Sequence, residues 1–348
     1  MPQKLKIEEF LVKAEKLPVL DVRSPSEYRD GHVCGAFSLP LFTDEERAIV
    51  GTTYNHQGRE AAILRGLKIS GPKLNRYYHQ LRKISPSDEI LMYCWRGGMR
   101  SASLAWLFEL FGKKVYLLEK GYKAYRRAAL ETFDKPLHLI VLSGMTGSGK
   151  TELLKRLKEK NQQVIDLESL AHHRGSAFGH LGEDEQPTTQ QFENQLFEII
   201  RKFDCQKNIW IEDESRNIGK VILPQRLWEQ MRQSPMIEIS VDVDIRIKRI
   251  CEEYGKYSPD ELCQAVEKIR EKLGSDRTES CFRLIHENKL EEAVKILLEY
   301  YDKRYLFGIR QRKNISRLRL EVSDSDEEKI AEKLIEASRK IINLQAES

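Results

Sequence analysis

Seven short apolar runs punctuate the chain. They are L-P-V-L-D-V (17–22), E-I-L-M-Y-C (89–94), K-V-Y-L-L (114–118), H-L-I-V-L-S (138–143), Q-V-I-D-L-E (163–168), N-I-W-I-E-D-E-S-R (208–216) and M-I-E-I-S-V-D-V-D (236–244). Such runs, bounded by polar or turn residues, read as buried strands. Between them lie segments with helical spacing: 7–16, 102–111, 150–160, 190–203, most of 259–305, and 327–344. Strands alternating with helices predict an α/β architecture with parallel sheets. An edge strand is expected at 318–322 before the last helix. The connection E-T-F-D-K-P (131–136) is polar and carries a proline. It divides the chain into a first domain of residues 1–130, a linker at 131–137 and a second domain at 138–348 with a helical, basic C-terminal extension. The interlude 42–71 is longer than a strand connection needs, and its helical patterning predicts an ordered element that borders a site or presents a solvated face.

The run at 138–143 leads into G-M-T-G-S-G-K-T, with Gly144, Thr146, Gly147, Ser148, Gly149, Lys150 and Thr151. This is G-x-x-x-x-G-K-T in a strand–loop–helix setting, a phosphate-binding pattern. Successive backbone N–H groups and the positive end of the following helix form a socket for a polyphosphate. Whether those phosphates belong to a nucleotide is left open by the pattern. If Mg²⁺ is used, Thr151 and Asp213 are its expected ligands.

The run at 89–94 delivers Cys94 to the loop C-W-R-G-G-M-R-S, where Trp95, Arg96, Gly97, Gly98 and Met99 separate it from Arg100. A thiol at a helix N-terminus beside arginines is set up as a thiolate nucleophile. The same N–H-lined cradle suits a tetrahedral oxyanion. With D-x-R-x-x-x-E-Y-x-x-G-H-x-x-G-A (21–36) and G-Y-K-A-Y (121–125), this part resembles the rhodanese domain. In that family the loop cysteine carries sulfur or selenium. The five-residue spacing to Arg100 is similar to that of dual-specificity phosphatases, which implies a phosphate-bearing donor such as selenophosphate.

Other residues are placed by position. Asp166, Glu168, Glu212 and Asp213 fall at expected strand ends, where α/β proteins bind ligands; they are candidate acids, bases or metal supports. The segment A-H-H-R-G-S-A-F-G-H-L-G (171–182) brings His172, His173, Arg174 and His180 together with an exposed-looking Phe178. It lacks zinc-ligand spacing and suits phosphate contacts with base stacking, or an ordinary surface loop. Arg246 and Arg249 share a helix face, as phosphate-clamping lid arginines do. Arg310, Arg312, Lys313, Arg317 and Arg319 form a basic stretch suited to a nucleic-acid backbone.

Composition adds limits. The 348 residues carry a net charge of +4 with 32% charged and 40% hydrophobic residues, which describes a soluble protein that permits nucleic-acid binding without requiring it. No apolar run is long enough to cross a bilayer, and the first residues lack a signal-peptide core. Six dispersed cysteines with no Cys-x-x-Cys pair argue against a disulfide framework and point to a reducing cytoplasm. Cys205, Cys251 and Cys263 are expected in core packing, Cys34 as structural, and Cys281 is undecided.

Together, Y-C-W-R-G-G-M-R-S, G-M-T-G-S-G-K-T, D-L-E-S-L-A-H-H-R-G-S-A-F-G and I-E-D-E-S-R-N-I-G resemble the bacterial tRNA 2-selenouridine synthases over nearly the whole chain. That resemblance implies a rhodanese-like domain fused to a P-loop NTPase-like domain. It implies replacement of sulfur by selenium in 2-thiouridine at the tRNA wobble position. The co-substrates are geranyl diphosphate, which first alkylates the sulfur, and selenophosphate, drawn from a supplying enzyme and loaded as a selenylated Cys94. Outside the resemblance, a nucleotide-dependent kinase or ATPase with a regulatory first domain, or a Cys-x5-Arg phosphatase, also fits these motifs.

Overall fold

Two five-stranded parallel sheets frame the chain. The computed structural model describes residues 2–312, 315–322 and 326–346; Lys313 of the basic stretch lies outside them. Two compact units are present, one of Met1–Thr132 with Gln190–Glu198, the other of Phe133–Thr189 with the chain from Ile199 on.

In the first unit the elements are β1 (Gln3–Leu5), α1 (Ile7–Ala14), β2 (Val19–Asp21), α2 (Pro25–Asp30), β3 (Phe37–Ser38), α3 (Asp44–Ser70), α4 (Leu74–Ile84), β4 (Glu89–Tyr93), α5 (Met99–Leu110), β5 (Lys114–Leu118) and α6 (Tyr122–Phe133). The sheet runs β1-β5-β4-β2-β3, parallel throughout. The central strands β2 and β4 are apolar and covered on both faces, as parallel strands require. The interlude at 42–71 is helix α3, capped by Thr43 and Glu46 and broken at Gly58, whose φ of 85° no ordinary side chain adopts without strain.

Buried charge fixes the far ends of these strands. Arg23, fully buried, grips both oxygens of Asp21 at 2.6–3.0 Å and donates to the Gly31 carbonyl at 2.6 Å. Tyr93 donates to Asp21 at 2.8 Å, and the Arg23 guanidinium lies 3.8 Å from the Tyr122 ring centre.

The second half of the chain holds β6 (Leu139–Gly144), α7 (Lys150–Glu159), β7 (Gln163–Ile165), α8 (Leu167–Ala171), α9 (Thr189–Ile200), β8 (Ile209–Glu212), a hairpin of β9 (Asn217–Ile218) and β10 (Val221–Ile222), α10 (Gln225–Gln233), β11 (Met236–Val241), α11 (Val243–Tyr254), α12 (Pro259–Glu267), α13 (Arg270–Leu273), α14 (Ser275–His286), α15 (Leu290–Arg310), β12 (Arg317–Val322) and α16 (Glu327–Ala346). Its sheet runs β12-β11-β6-β8-β7. Helices α11 to α15 close over their own apolar core, which includes Cys281.

Several expected spans shorten for local reasons. The strand from 163 stops at Ile165 because Asp166 accepts the Ser169 N–H at 2.8 Å and starts α8. The helix expected over 190–203 is Thr189–Ile200, and Gln190–Glu198 belongs to the first unit. There, Asn194 donates to the His32 carbonyl and the Tyr122 hydroxyl at 2.9 and 2.8 Å, and Gln191 accepts the His32 N–H at 2.8 Å. Cys205 is exposed in a turn after α9, not packed in a core.

Arg23→Met strands Asp21 as an unpaired buried carboxylate. It is expected to lower the stability of the first unit by about 3–5 kcal/mol, read from the urea midpoint of its unfolding transition.

Candidate functional site

Two cradles lie at carboxyl ends of buried strands. At the end of β4 the chain turns so that Gly98 donates its N–H to Cys94 Sγ at 3.3 Å and Ser101 Oγ donates to it at 3.2 Å. Cys94 is only 3% exposed yet borders a cavity of about 780 Å³. The start of α6 holds the loop from beneath: the Tyr122 N–H donates to the Cys94 carbonyl at 2.9 Å and the Lys123 N–H to the Trp95 carbonyl at 3.1 Å. Trp95, Arg96, Gly98, Met99 and Arg100 line the same cavity. Gly97, with φ of 64°, leaves no room for a Cβ against the Leu118 carbonyl.

Arg100 does not stand alone. Its two terminal nitrogens donate to Glu27 at 2.5 and 3.1 Å. Burial raises the proton affinity of Glu27, but the Arg100 guanidinium outweighs it and holds the carboxyl below its ordinary value.

The second cradle follows β6. Gly144, Gly147 and Gly149 are each closely packed, the last two at positive φ, so the loop tolerates no side chain there. Lys150 opens α7 and donates to the Gly144 carbonyl at 3.0 Å, and Thr151 Oγ1 donates to Glu168 at 3.3 Å. Ser148 Oγ is buried without a hydrogen-bond partner among the described residues.

Comparison with known proteins decides the family. Residues 137–339 match the "tRNA 2-selenouridine synthase AAA domain" and residues 6–128 the "Rhodanese-like domain". A tRNA 2-selenouridine synthase of Nitrosomonas europaea is 35% identical, covering 85% of this chain and 90% of its own. That of Aeromonas salmonicida is 33% identical over 85% and 88%. That of Bdellovibrio bacteriovorus is 41% identical over 69% and 65%. The chain belongs to the tRNA 2-selenouridine synthase family. The α/β reading, a rhodanese-like domain followed by a P-loop-like domain with a helical C-terminal part, holds. No helix among the described residues is long and apolar enough to cross a membrane.

In this synthase-family chain the arginines near the phosphate loop divide. Arg249 donates to the Ser148 carbonyl at 2.9 Å and lies against Gly149. Arg246 is 3% exposed, bound to Asp302 at 2.6 and 3.0 Å and to the Thr146 carbonyl at 2.8 Å. It shapes the loop from below instead of presenting a free lid cation. Arg312 is buried on Asp213, and Ser143 donates to the other Asp213 oxygen at 2.7 Å. Buried in this way, Arg312 differs from the expected nucleic-acid contact, and Asp213 is committed to it. Arg310, Arg317 and Arg319 remain exposed, with Arg317 paired to Glu238.

The segment 171–182 is closed, not open. Arg174 N–H donates to the Gly179 carbonyl at 3.0 Å, and its side chain pairs with Glu183 and Glu253. Phe178 is 9% exposed and sits 5.5 Å from the Tyr254 ring, contrary to its exposed-looking sequence, because α11 to α15 offer an apolar face. His172 meets the Glu185 carbonyl at 3.0 Å. Burial lowers the proton affinity of His173, and burial with the neighbouring Lys268 does the same for His180.

A carboxyl cluster edges the loop. Glu212, fully buried, accepts the Glu168 N–H at 2.6 Å and leaves its other oxygen without a partner among the described residues. Glu168 and Glu214 stand together against Gly175, with oxygens of both at 2.8–2.9 Å from where a Cβ there would lie. Burial, reinforced by mutual repulsion, raises Glu212 and Glu214 well above the ordinary value; Glu168 and Asp166 are also raised, with burial the main cause. Among the described residues no group of three His, Cys, Asp or Glu is arranged for a metal. Sequence reasoning gave no role to Ser101, which acts on Cys94 seven residues earlier, or to Glu27 and Asp302, which act through partners distant in sequence; Glu214 stood in the E-D-E run at a strand end expected to support Mg²⁺.

Two outcomes follow. A Cβ at Gly121 would collide with the Cys94 carbonyl and Gly97 N–H, so Gly121→Ala is expected to leave the fold intact by circular dichroism while changing the rate of Cys94 alkylation at least several-fold. The raised carboxyls bind more protons folded than unfolded, so they favour the folded second unit at acid pH, and that contribution is lost as pH rises above the ordinary value of 4.5. Glu214→Gln is expected to flatten the fall in melting temperature between about pH 5 and 8, measured by calorimetry.

Proposed function

We propose that this chain converts 2-thiouridine at the wobble position of tRNA to 2-selenouridine, in two stages. In the first, the thiocarbonyl sulfur attacks C1 of geranyl diphosphate; diphosphate leaves with the bonding pair and the base loses its N3 proton. Gly144–Thr151 grips the diphosphate, with Lys150 and Arg249 stabilising the departing charge. In the second, selenium from selenophosphate replaces the alkylthiol at C2. Alkylation is what makes this possible, since an alkylthiolate leaves far more readily than sulfide.

The observation that carries the reading is Cys94 Sγ at the edge of a large cavity, receiving hydrogen bonds from Gly98 and Ser101, with Arg96 and Arg100 on the same lining. Arg100 is the phosphate anchor, and Cys94 lies where the selenium of bound selenophosphate meets C2. The overall exchange is redox-neutral: selenide enters, alkylthiolate leaves, and water releases phosphate. A selenylated Cys94 lies two electrons above that balance, so its formation needs an oxidising equivalent and its discharge a thiol. Attack on C2 by the selenium of selenophosphate itself needs neither.

A geranyl tail at the phosphate loop is supported by an apolar cavity that Thr146 shares with Phe178, Ile250, Tyr254, Leu298 and Tyr301. Its 40 Å³ is a fraction of the roughly 300–1,000 Å³ of small-molecule sites. Binding therefore requires its lining helices to part, and geranyl diphosphate is expected to alter their proteolysis.

The deciding measurement is nucleoside mass spectrometry of tRNA bearing 2-thiouridine, incubated with protein, geranyl diphosphate and selenophosphate. Lys150→Ala is expected to slow formation of the S-geranyl base on the order of 100-fold or more. Cys94→Ala is expected to stop at that base. Intact-protein mass spectrometry is expected to find selenium on Cys94 only when a disulfide oxidant is added with selenophosphate. Selenouridine formation by Cys94→Ala at the normal rate defeats the cysteine's role, and absence of any modified base defeats the assignment.

A further inference from the structure

The cavity beside Cys94 has more room and a different lining than anion chemistry needs. Arg47, Arg59, Arg96 and Arg100 supply a cationic part, and Leu41, Phe42, Val50, Ala62, Ile63 and Leu67 an apolar one. At about 780 Å³ it lies within the roughly 300–1,000 Å³ of small-molecule sites, far beyond a tetrahedral anion. Much of the apolar lining comes from α3. That helix spans 27 residues but buries only Ala62, so it adds little to the core of the unit. Leu67 is 60% exposed although apolar. The break at Gly58 separates the two halves of the helix, and residues of both line the cavity. A long insertion that contributes little core yet walls a nucleophile's cavity is built for a ligand.

We propose that this compartment holds the hydrocarbon group on the 2-sulfur of the alkylated base, seating the leaving thiol beside Cys94 while selenium replaces it. The inference rests on the two-stage function above. In the exchange the C2–Se bond forms and the C2–S bond breaks. The electron pair departs with the alkylthiolate, which is protonated by water, and the Se–P bond is opened by water to give phosphate. No oxidant or reductant is consumed. Each methylene that enters the apolar part strengthens binding about fourfold, so a ten-carbon chain is favoured over a one-carbon group by orders of magnitude before strain.

The test uses the full chain and two readouts. Carbamidomethylation of Cys94 by iodoacetamide, followed by peptide mass spectrometry, reports occupancy of this cavity alone. Geraniol is expected to slow it at least about tenfold at concentrations where a five-carbon alcohol does little. Ile63→Glu and Leu67→Glu are expected to lose that shielding, with folding checked by circular dichroism; Leu67 is exposed enough to accept the change without unfolding. Selenium exchange on anticodon oligonucleotides carrying S-geranyl or S-methyl 2-thiouridine is the second readout. The geranyl preference in kcat/KM is expected to shrink at least about tenfold in Leu67→Glu. Equal shielding by both alcohols, or shielding that survives in both variants, overturns the compartment. Conversion of the S-geranyl oligonucleotide without geraniol shielding removes the compartment and leaves the two-stage function standing. Shielding without conversion by the wild type overturns the two-stage function, and with it the assignment of the bound group to the alkylated base.

Discussion

A parallel strand that stays buried to its last residue must end with backbone groups that the sheet can no longer pair. Strands β4 and β6 are covered nearly end to end, and each stops where the chain turns sharply into a helix. The N–H groups freed there have two outlets, a ligand or a polar atom of the protein. At β4 the outlet is Cys94 Sγ, which accepts the Gly98 N–H and, beside it, the Ser101 hydroxyl. At β6 it is the glycine loop ahead of α7, a helix start that favours negative charge. The chemistry of both sites follows from that one backbone constraint, with glycines where a Cβ would collide.

Cation placement is the second layer. Arg100 rests on Glu27, Arg246 on Asp302, and Arg312 on Asp213. Each carboxylate offsets the cost of partial burial and removes rotamer freedom, so the guanidinium is positioned before a ligand arrives. The cost is that a tethered arginine offers less charge to a newcomer. Arg100 keeps edges toward the Cys94 cavity despite its tether. Arg246 and Arg312 do not, and their contribution is to loop and strand-end geometry. Arg249, bound only through the Ser148 carbonyl among these contacts, is the cation placed against the loop glycines.

What the sequence disclosed were features with local grammar. The apolar runs, with the expected edge strand at 318–322, give the second sheet and the three central strands of the first but not its edge strands β1 and β3. G-M-T-G-S-G-K-T and C-W-R-G-G-M-R-S place two cradles because turn, glycine and helix start are contiguous. What it concealed were features made by distant partners. Phe178 sits in a loop of glycines and histidines, and only the packed face of α11 to α15 draws it inside. Arg312 lies in a run of basic residues that reads as surface charge, and only Asp213, 99 residues away, draws it in. Gln190–Glu198 has ordinary amphipathic spacing, and its place in the first unit depends on His32 and Tyr122 far upstream. The long insertion was recognisable as ordered; its role as a cavity wall depends on the curvature set at Gly58.

The carboxyls at the phosphate loop pose a final electrostatic question, since a diphosphate brought near Glu168, Glu212 and Glu214 meets repulsion. Burial raises the proton affinity of all three and so lessens that repulsion. Lys150 acts the other way, favouring the charged forms of Glu168 and Glu214. Thr151, turned to Glu168, ties that carboxyl to the start of α7. With their proton affinity raised by burial, these acids repel an anion less than freely ionised ones would, and Lys150 and the helix start supply positive charge beside them. The acids and the cradle are therefore one electrostatic unit, and a change in either alters the charge the other can accept.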